Sequence, residues 1–134
     1  MVSLMATTAR GEVDLEEDLV TRLYEKTKAN GDKVPDLARG WVITAARLAY
    51  RSQGRLLPKR RPTRDRAPRG EATPKAKLRW SQSDAQYAWC KQLIDDAGSS
   101  LTDVLREAVQ AYLDADGDVV AMTWPPKSAS RVAA

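Results

Sequence analysis

Hydrophobic and polar positions change rhythm several times along the chain. Residues 1–11 (MVSLMATTARG) show no helical period and read as a loose arm. From Asp14 onward, Leu15, Leu19 and Leu23, with Val20 beside them, recur at helical spacing. Asp14 can cap that helix, Glu16, Glu17 and Asp18 suit the positive end of its dipole, and Asn30-Gly31 supplies a left-handed stop. Asp36 is the next cap. Leu37, Trp41, Ala45 and Leu48 stripe a second helix to about Ser52, with Gly54 beyond it. Ile43, Ala46 and Tyr50 add apolar surface on its other side, so this helix is expected to lie between neighbours.

Periodicity then disappears. Residues 55–76 hold four prolines and six arginines and few apolar side chains after Leu57, the composition of a basic linker. From Lys75 to Ser81 charged or polar residues alternate with Ala76, Leu78 and Trp80, which predicts a short strand with one apolar face. Ser81 or Ser83 caps a helix to about Ala97, striped by Tyr87, Cys90, Leu93, Ile94 and Ala97 and stopped by Gly98. Ser100 with Asp103 resembles a capping box and opens a last helix to about Asp114, striped by Leu101, Leu105, Ala108, Val109 and Tyr112. The tail after Asp116-Gly117-Asp118 reads as extended, apart from a contact through Val119, Val120 and Trp124.

Charge sharpens this division. Basic and acidic residues balance over residues 1–54 at eight each; residues 55–79 carry ten basic and two acidic, and residues 80–134 four and eight. A positive segment between neutral and acidic parts points to a polyanion partner. The chain has no histidine and one cysteine, so a Cys/His zinc site, a Ser-His or Cys-His catalytic pair and an internal disulfide are all excluded. No Gly-rich phosphate loop is present either, and the expectation is a binding module, not an enzyme, with no catalytic residues, cofactor or metal. No run of eighteen apolar residues and no cleavable leader is read, so a cytoplasmic protein with no membrane partner is expected, nucleoid-associated if bacterial or phage.

One strand and two amphipathic helices in about forty residues bury too little to stand alone, and a second copy would complete them. If two such units pair their strands antiparallel, Ala76, Leu78 and Trp80 face a four-helix core while Lys75, Lys77 and Arg79 face out together. A two-stranded ribbon fits the major groove of duplex DNA, where Arg and Lys donate to guanine O6 and N7. Lys77-Leu78-Arg79-Trp80, the Gly98-Ser99-Ser100 turn and the run from Leu101 to Val109 together resemble the ribbon-helix-helix family of DNA-binding proteins, of the Arc repressor type, over roughly residues 75–115. The resemblance implies base contacts by Lys75, Lys77 and Arg79, and a phosphate held at Ser99 and Ser100 by the amino end of the last helix. Arg60, Arg61, Arg64, Arg66 and Arg69 of the linker are further phosphate candidates, in the manner of minor-groove arms.

The organisation expected is therefore mainly α: a helical hairpin over residues 1–54, a basic linker over 55–74, a dimeric ribbon-helix-helix unit over 75–116 and a tail over 117–134. Residues 12–52 share the helix-turn-helix outline of the later unit, but the would-be strand Gly11-Glu12-Val13-Asp14 is acidic and would repel phosphates. The first part is accordingly read as an oligomerisation or partner-binding hairpin, with a tandem, degenerate unit as the alternative. The function expected is sequence-specific binding of double-stranded DNA by a homodimer or higher oligomer, as a transcriptional regulator or repressor. Two alternatives stand beside it: an antitoxin-like or adaptor protein whose residues 12–52 or carboxy-terminal tail bind a protein partner, and a sequence-indifferent nucleic-acid binder using the linker alone. Plainer roles also fit several residues, since Lys77 and Arg79 could merely keep a strand edge from aggregating, Ser99 and Ser100 could merely cap, and Cys90 could merely fill the core.

Overall fold

The computed structural model describes residues 8–61 and 74–125. The first strand, β1, runs Thr8–Glu16, and the helices α1 (Glu17–Asn30) and α2 (Val34–Tyr50) follow it. After a 3-10 turn at Gly54–Leu56 the same order repeats as β2 (Lys75–Ser83), α3 (Asp84–Asp96) and α4 (Leu101–Asp114). The two strands form one antiparallel sheet in which Glu12 stands opposite Arg79 at the midpoint.

The helical hairpin expected over residues 1–54 is thus corrected: this part opens with a strand of its own, and the partner strand of β2 comes from the same chain. Leu15 lies four residues before Leu19 and so fits a helical stripe, but it also continues the alternation Gly11, Val13, Leu15, all buried, against the exposed Arg10, Glu12 and Asp14. The strand prevails because the apolar face of β2 must be continued, and β1 continues it by backbone pairing over nine positions. The acidic outer residues do not oppose this, since the strand facing them is basic.

The repeat is regular: 75 − 8, 84 − 17 and 101 − 34 all equal 67, so both strands and both helix pairs are offset by the same number of residues. Gly31 and Gly98, equivalent under that shift, take φ of 76° and 82° and end the first helix of each half in the left-handed conformation. The starts differ more. Ser83 caps α3 by accepting from the Gln86 amide at 3.2 Å, and Ser100 caps α4 by accepting from the Asp103 amide at 3.1 Å. Neither α1 nor α2 has a side-chain cap; α2 instead begins with Pro35 in its first turn, where a missing N–H costs nothing.

The core lies beneath the sheet, and large side chains in one half meet small ones in the other. Trp80, fully buried, covers Gly11. Trp41 of α2 meets Tyr112 of α4 edge-on, ring centres 5.9 Å apart, while their equivalents in the opposite halves are Ala108 and Ala45. The buried Gln82 is satisfied by the Trp80 indole N–H at 2.8 Å and donates to Gln86 at 3.1 Å. Burial pushes the neighbouring Cys90 thiol up, so this cysteine belongs to the core. Polar contacts also tie the halves together. The Tyr112 hydroxyl donates to Asp32 at 2.8 Å, Asn30 donates to the Gly117 carbonyl at 3.2 Å, and Lys26 pairs with Asp116. In the tail Trp124 is buried, whereas Val119 and Val120 are exposed. Among the described residues no helix is long and apolar enough to cross a membrane.

Candidate nucleic-acid interface

Alternation of β1 and β2 leaves one face of the sheet outside the core. Lys75, Lys77 and Arg79 stand on it with side chains 46 to 63% exposed. The structure therefore brings the three sequence-predicted base-reading residues together on one surface. It also adds Arg10, read from the sequence as part of an arm, Glu12 and Asp14, read as a would-be acidic strand only in the alternative of a degenerate unit, and the half-buried Glu16, read as a helix start. Their signal was the period-two run from Arg10 to Leu15.

Register places acids against bases. Lys75 donates to Glu16 at 2.8 Å, Lys77 lies 3.0 Å from Glu12 and 3.3 Å from Asp14, and the Arg79 Nε donates to Glu12 at 2.8 Å. Lys77 and Arg79 hold the Glu12 carboxyl below the usual range, and Glu12 and Asp14 together raise Lys77. Glu16 is pushed down to about 2, chiefly by its bond from Lys75, with Arg106 at 3.0 Å as a further donor, against partial desolvation. The outer pairs are bathed in water, which screens them, so their partners can be exchanged for groups on a ligand at little cost. Arg10 is exposed and has no carboxylate partner among the described residues; it shares a shallow hollow with Pro35, Arg79 and Ser81.

The amino ends of α2 and α4 flank opposite ends of this face. Arg39 of α2 reaches the Ser81 carbonyl at 3.4 Å and Asp36 at 2.9 Å; its equivalent, Arg106 of α4, reaches Glu16 and, at 2.9 Å, Asp103. At the start of α4, where a phosphate is expected, the structure places the Asp103 carboxylate beside Ser100. The Asp103 carboxylate accepts from the Ser100 hydroxyl at 2.8 Å and from the Arg61 amide at 3.0 Å, so it occupies the positive end of the helix. Ser99 is fully buried, and its hydroxyl lies inside the fold, away from any phosphate. These two serines act in capping and packing.

Arg60 and Arg61 carry positive charge to this end instead. The Arg60 amide donates to the Gly98 carbonyl at 2.7 Å, its Nε to the Ser99 carbonyl at 3.0 Å and its guanidinium to Asp95 at 3.1 Å, which pins the start of the basic segment beside α4. Pro74, at the segment's other end, accepts from the Glu17 amide at 3.0 Å, so the segment also re-enters the fold at this end of the ribbon. Arg64, Arg66 and Arg69 lie outside the described residues. Among the described residues no cluster of acids and cysteine is arranged to hold a metal ion. Comparison with family models, curated proteins and solved structures returns no match for this chain.

Proposed function

We propose that this protein binds duplex DNA without catalysis, reading base edges in the major groove with the ribbon formed by β1 and β2 and acting as a regulator of transcription in the cytoplasm or nucleoid. The observation that carries the reading is the outward face itself. Two antiparallel strands of nine residues, about 30 Å long at ~3.4 Å per residue, present Arg10, Lys75, Lys77 and Arg79 on a surface the core does not use. A ribbon of this width enters the major groove, and arginine and lysine are the side chains that donate to guanine there. On this reading the resemblance to ribbon-helix-helix proteins extends to both halves, and one chain supplies the ribbon that two chains were expected to form.

Affinity for the backbone comes from the flanks. Arg61, beside α4, and the arginines that follow it neutralise phosphates, while the acids of β1 keep the ribbon's centre nearly uncharged and so favour base contacts over indiscriminate attraction. The test is a titration of a fluorescent duplex by the full chain over a series of salt concentrations. Replacing Arg61, Arg64 and Arg66 by alanine lowers affinity for all duplexes alike and flattens the salt slope by roughly one unit per lost phosphate contact. A salt slope unchanged by these substitutions contradicts this assignment.

A second reading, a protein-binding adaptor, is favoured by the exposed aromatic pair Tyr50 and Trp89, ring centres 5.9 Å apart, on the α2 and α3 surface. Trp124 and most of the apolar stripe of residues 12–52 are buried, so among the described residues this pair, with Tyr24, Val119 and Val120, is the large apolar surface left to a partner. Capture of a polypeptide partner that survives Arg79→Ala but is lost in Tyr50→Ser with Trp89→Ser would favour it.

A further inference from the structure

The two halves of the ribbon are equivalent in register but not in chemistry. The midpoint of the pairing is Glu12 opposite Arg79, and the 67-residue shift carries one onto the other, so the approximate twofold relating the halves passes through this pair. On one side of it the outward residues are Arg10 opposite Ser81 and Thr8 opposite Ser83; on the other they are Asp14 opposite Lys77 and Glu16 opposite Lys75. Only Arg10 and Lys77, equivalent under the shift, share a charge. Asp14 answers to Ser81, Glu12 to Arg79 and Thr8 to Lys75.

A homodimeric ribbon shows the same side chains to both half-sites and so selects a palindrome. This ribbon does not. From the arrangement of Arg10 and Ser81 on one side and Lys77 and Asp14 on the other, we infer that the chain occupies a non-palindromic duplex site as a single molecule, with Asp14 and Glu12 as specificity-determining residues that demand a cytosine amino group. The inference rests on the reading of the ribbon as a major-groove reader.

The chemistry follows from what a carboxylate can do in the groove. It only accepts hydrogen bonds, so it is repelled by guanine O6 and N7 and thymine O4; of the two bases with an amino donor, cytosine N4 satisfies it best, because adenine N6 lies beside the repelling N7 acceptor. Asp14 and Glu12 are exposed and held by screened ion pairs, so Asp14 can turn from Lys77, and Glu12 from Lys77 and Arg79, to a base while Lys77 turns to the guanine of a neighbouring step. Arg10, with no carboxylate partner among the described residues, donates to guanine on the other side, and Ser81 imposes little choice. Glu16 is excluded from this role because its partner Arg106 is largely buried and holds it at the sheet's end, unlike the exposed partners of Glu12.

Selection by the full chain from duplexes with a randomised core, with stoichiometry read by native mass spectrometry, tests the inference. A consensus without dyad symmetry, bound one chain per duplex, is expected. Asp14→Asn then lowers discrimination for cytosine on one side of the centre by about tenfold, and Glu12→Gln does so at the centre. The double variant Glu12→Arg with Asp14→Ser, which matches the two sides at the positions nearest the centre, shifts the consensus toward a palindrome there. A palindromic consensus for the unaltered chain, two chains per duplex, or an unchanged cytosine preference in both acid variants overturns the inference while leaving DNA binding intact. No preference for any duplex overturns the proposed function as well, and separates that failure from this one.

Discussion

Gly11 lies directly opposite Trp80 in the sheet, and a β-carbon at residue 11 would fall 2.0 Å from the indole ring. The glycine is a slot for the largest side chain in the core. Gly11→Ala is therefore expected to destabilise the protein by about 1–3 kcal/mol through overpacking against a buried ring. Gly40, on an open face of α2 with nothing near its missing side chain, gives the contrast: Gly40→Ala should stabilise by roughly 0.5–1 kcal/mol. Urea denaturation of both variants beside the parent protein checks the pair; equal and opposite signs from these predictions would remove Trp80 from the site assigned to it.

The same slot makes the halves complementary. Applying the 67-residue offset to the strand register, a sheet made from two copies of β2 would set Trp80 against Leu78, where the chain itself has Gly11. Two copies of β1 would set Gly11 against Val13 and leave a void. Fragments 1–61 and 74–134 mixed in solution should consequently associate one to one in preference to forming pairs of either. Size-exclusion chromatography with light scattering, run on each fragment and on the mixture, measures this; two stable homodimers that do not exchange would contradict it.

Two titrations set the pH limits of stability. Glu16 falls from an ordinary 4.5 to about 2 in the fold, so its contribution is present above 4.5 and is lost as pH falls toward 2. Since the side chain is 31% exposed, water screens the pair and about 1–2 kcal/mol is expected in place of the larger formal value. Tyr112 is raised from 10 to about 12, first by burial and then by Asp32; its contribution is present below 10 and is lost as pH rises toward 12. Thermal melting across pH should show the acid limb flattened by Glu16→Gln and the alkaline limb flattened by Tyr112→Phe.

Core and surface of β2 should separate cleanly. Leu78 and Trp80 are buried, and truncating either to alanine is expected to cost about 2–5 kcal/mol through the cavity left behind. Arg79, between them, points to solvent and should melt like the parent when changed to alanine. An early melt for Arg79→Ala would mean that its bond to Glu12 holds the sheet together.

The second half of the chain was legible because each element carried two agreeing signals. Strand alternation from Lys75 to Trp80 is unbroken, and Ser100 with Asp103 marks the α4 start by its cap chemistry as well as by the stripe that follows. The first half carried conflicting ones. Gly11 disfavours a strand by propensity, Leu15 fits two periods, and acids on β1 look unsuited to a nucleic-acid surface until the bases opposite them are known. Those conflicts are settled by Trp80 and by Lys75, Lys77 and Arg79, more than sixty residues away, which local reading does not connect to Gly11. The phosphate expectation at Ser99 and Ser100 was hard to judge for a related reason: Asp103, read as a cap partner, also receives the Ser100 hydroxyl and the Arg61 amide at the start of α4.

The central claim, that the outward face of the ribbon reads base edges, is tested most directly by competition titration of the full chain against its selected duplex and a scrambled one at moderate salt, for the parent and for Arg79→Ala. The account predicts saturation at one chain per duplex, a clear preference for the selected sequence, and a loss of about tenfold in that preference for Arg79→Ala with the melting temperature unchanged. Equal affinity for both duplexes, or a preference that survives Arg79→Ala intact, would contradict it.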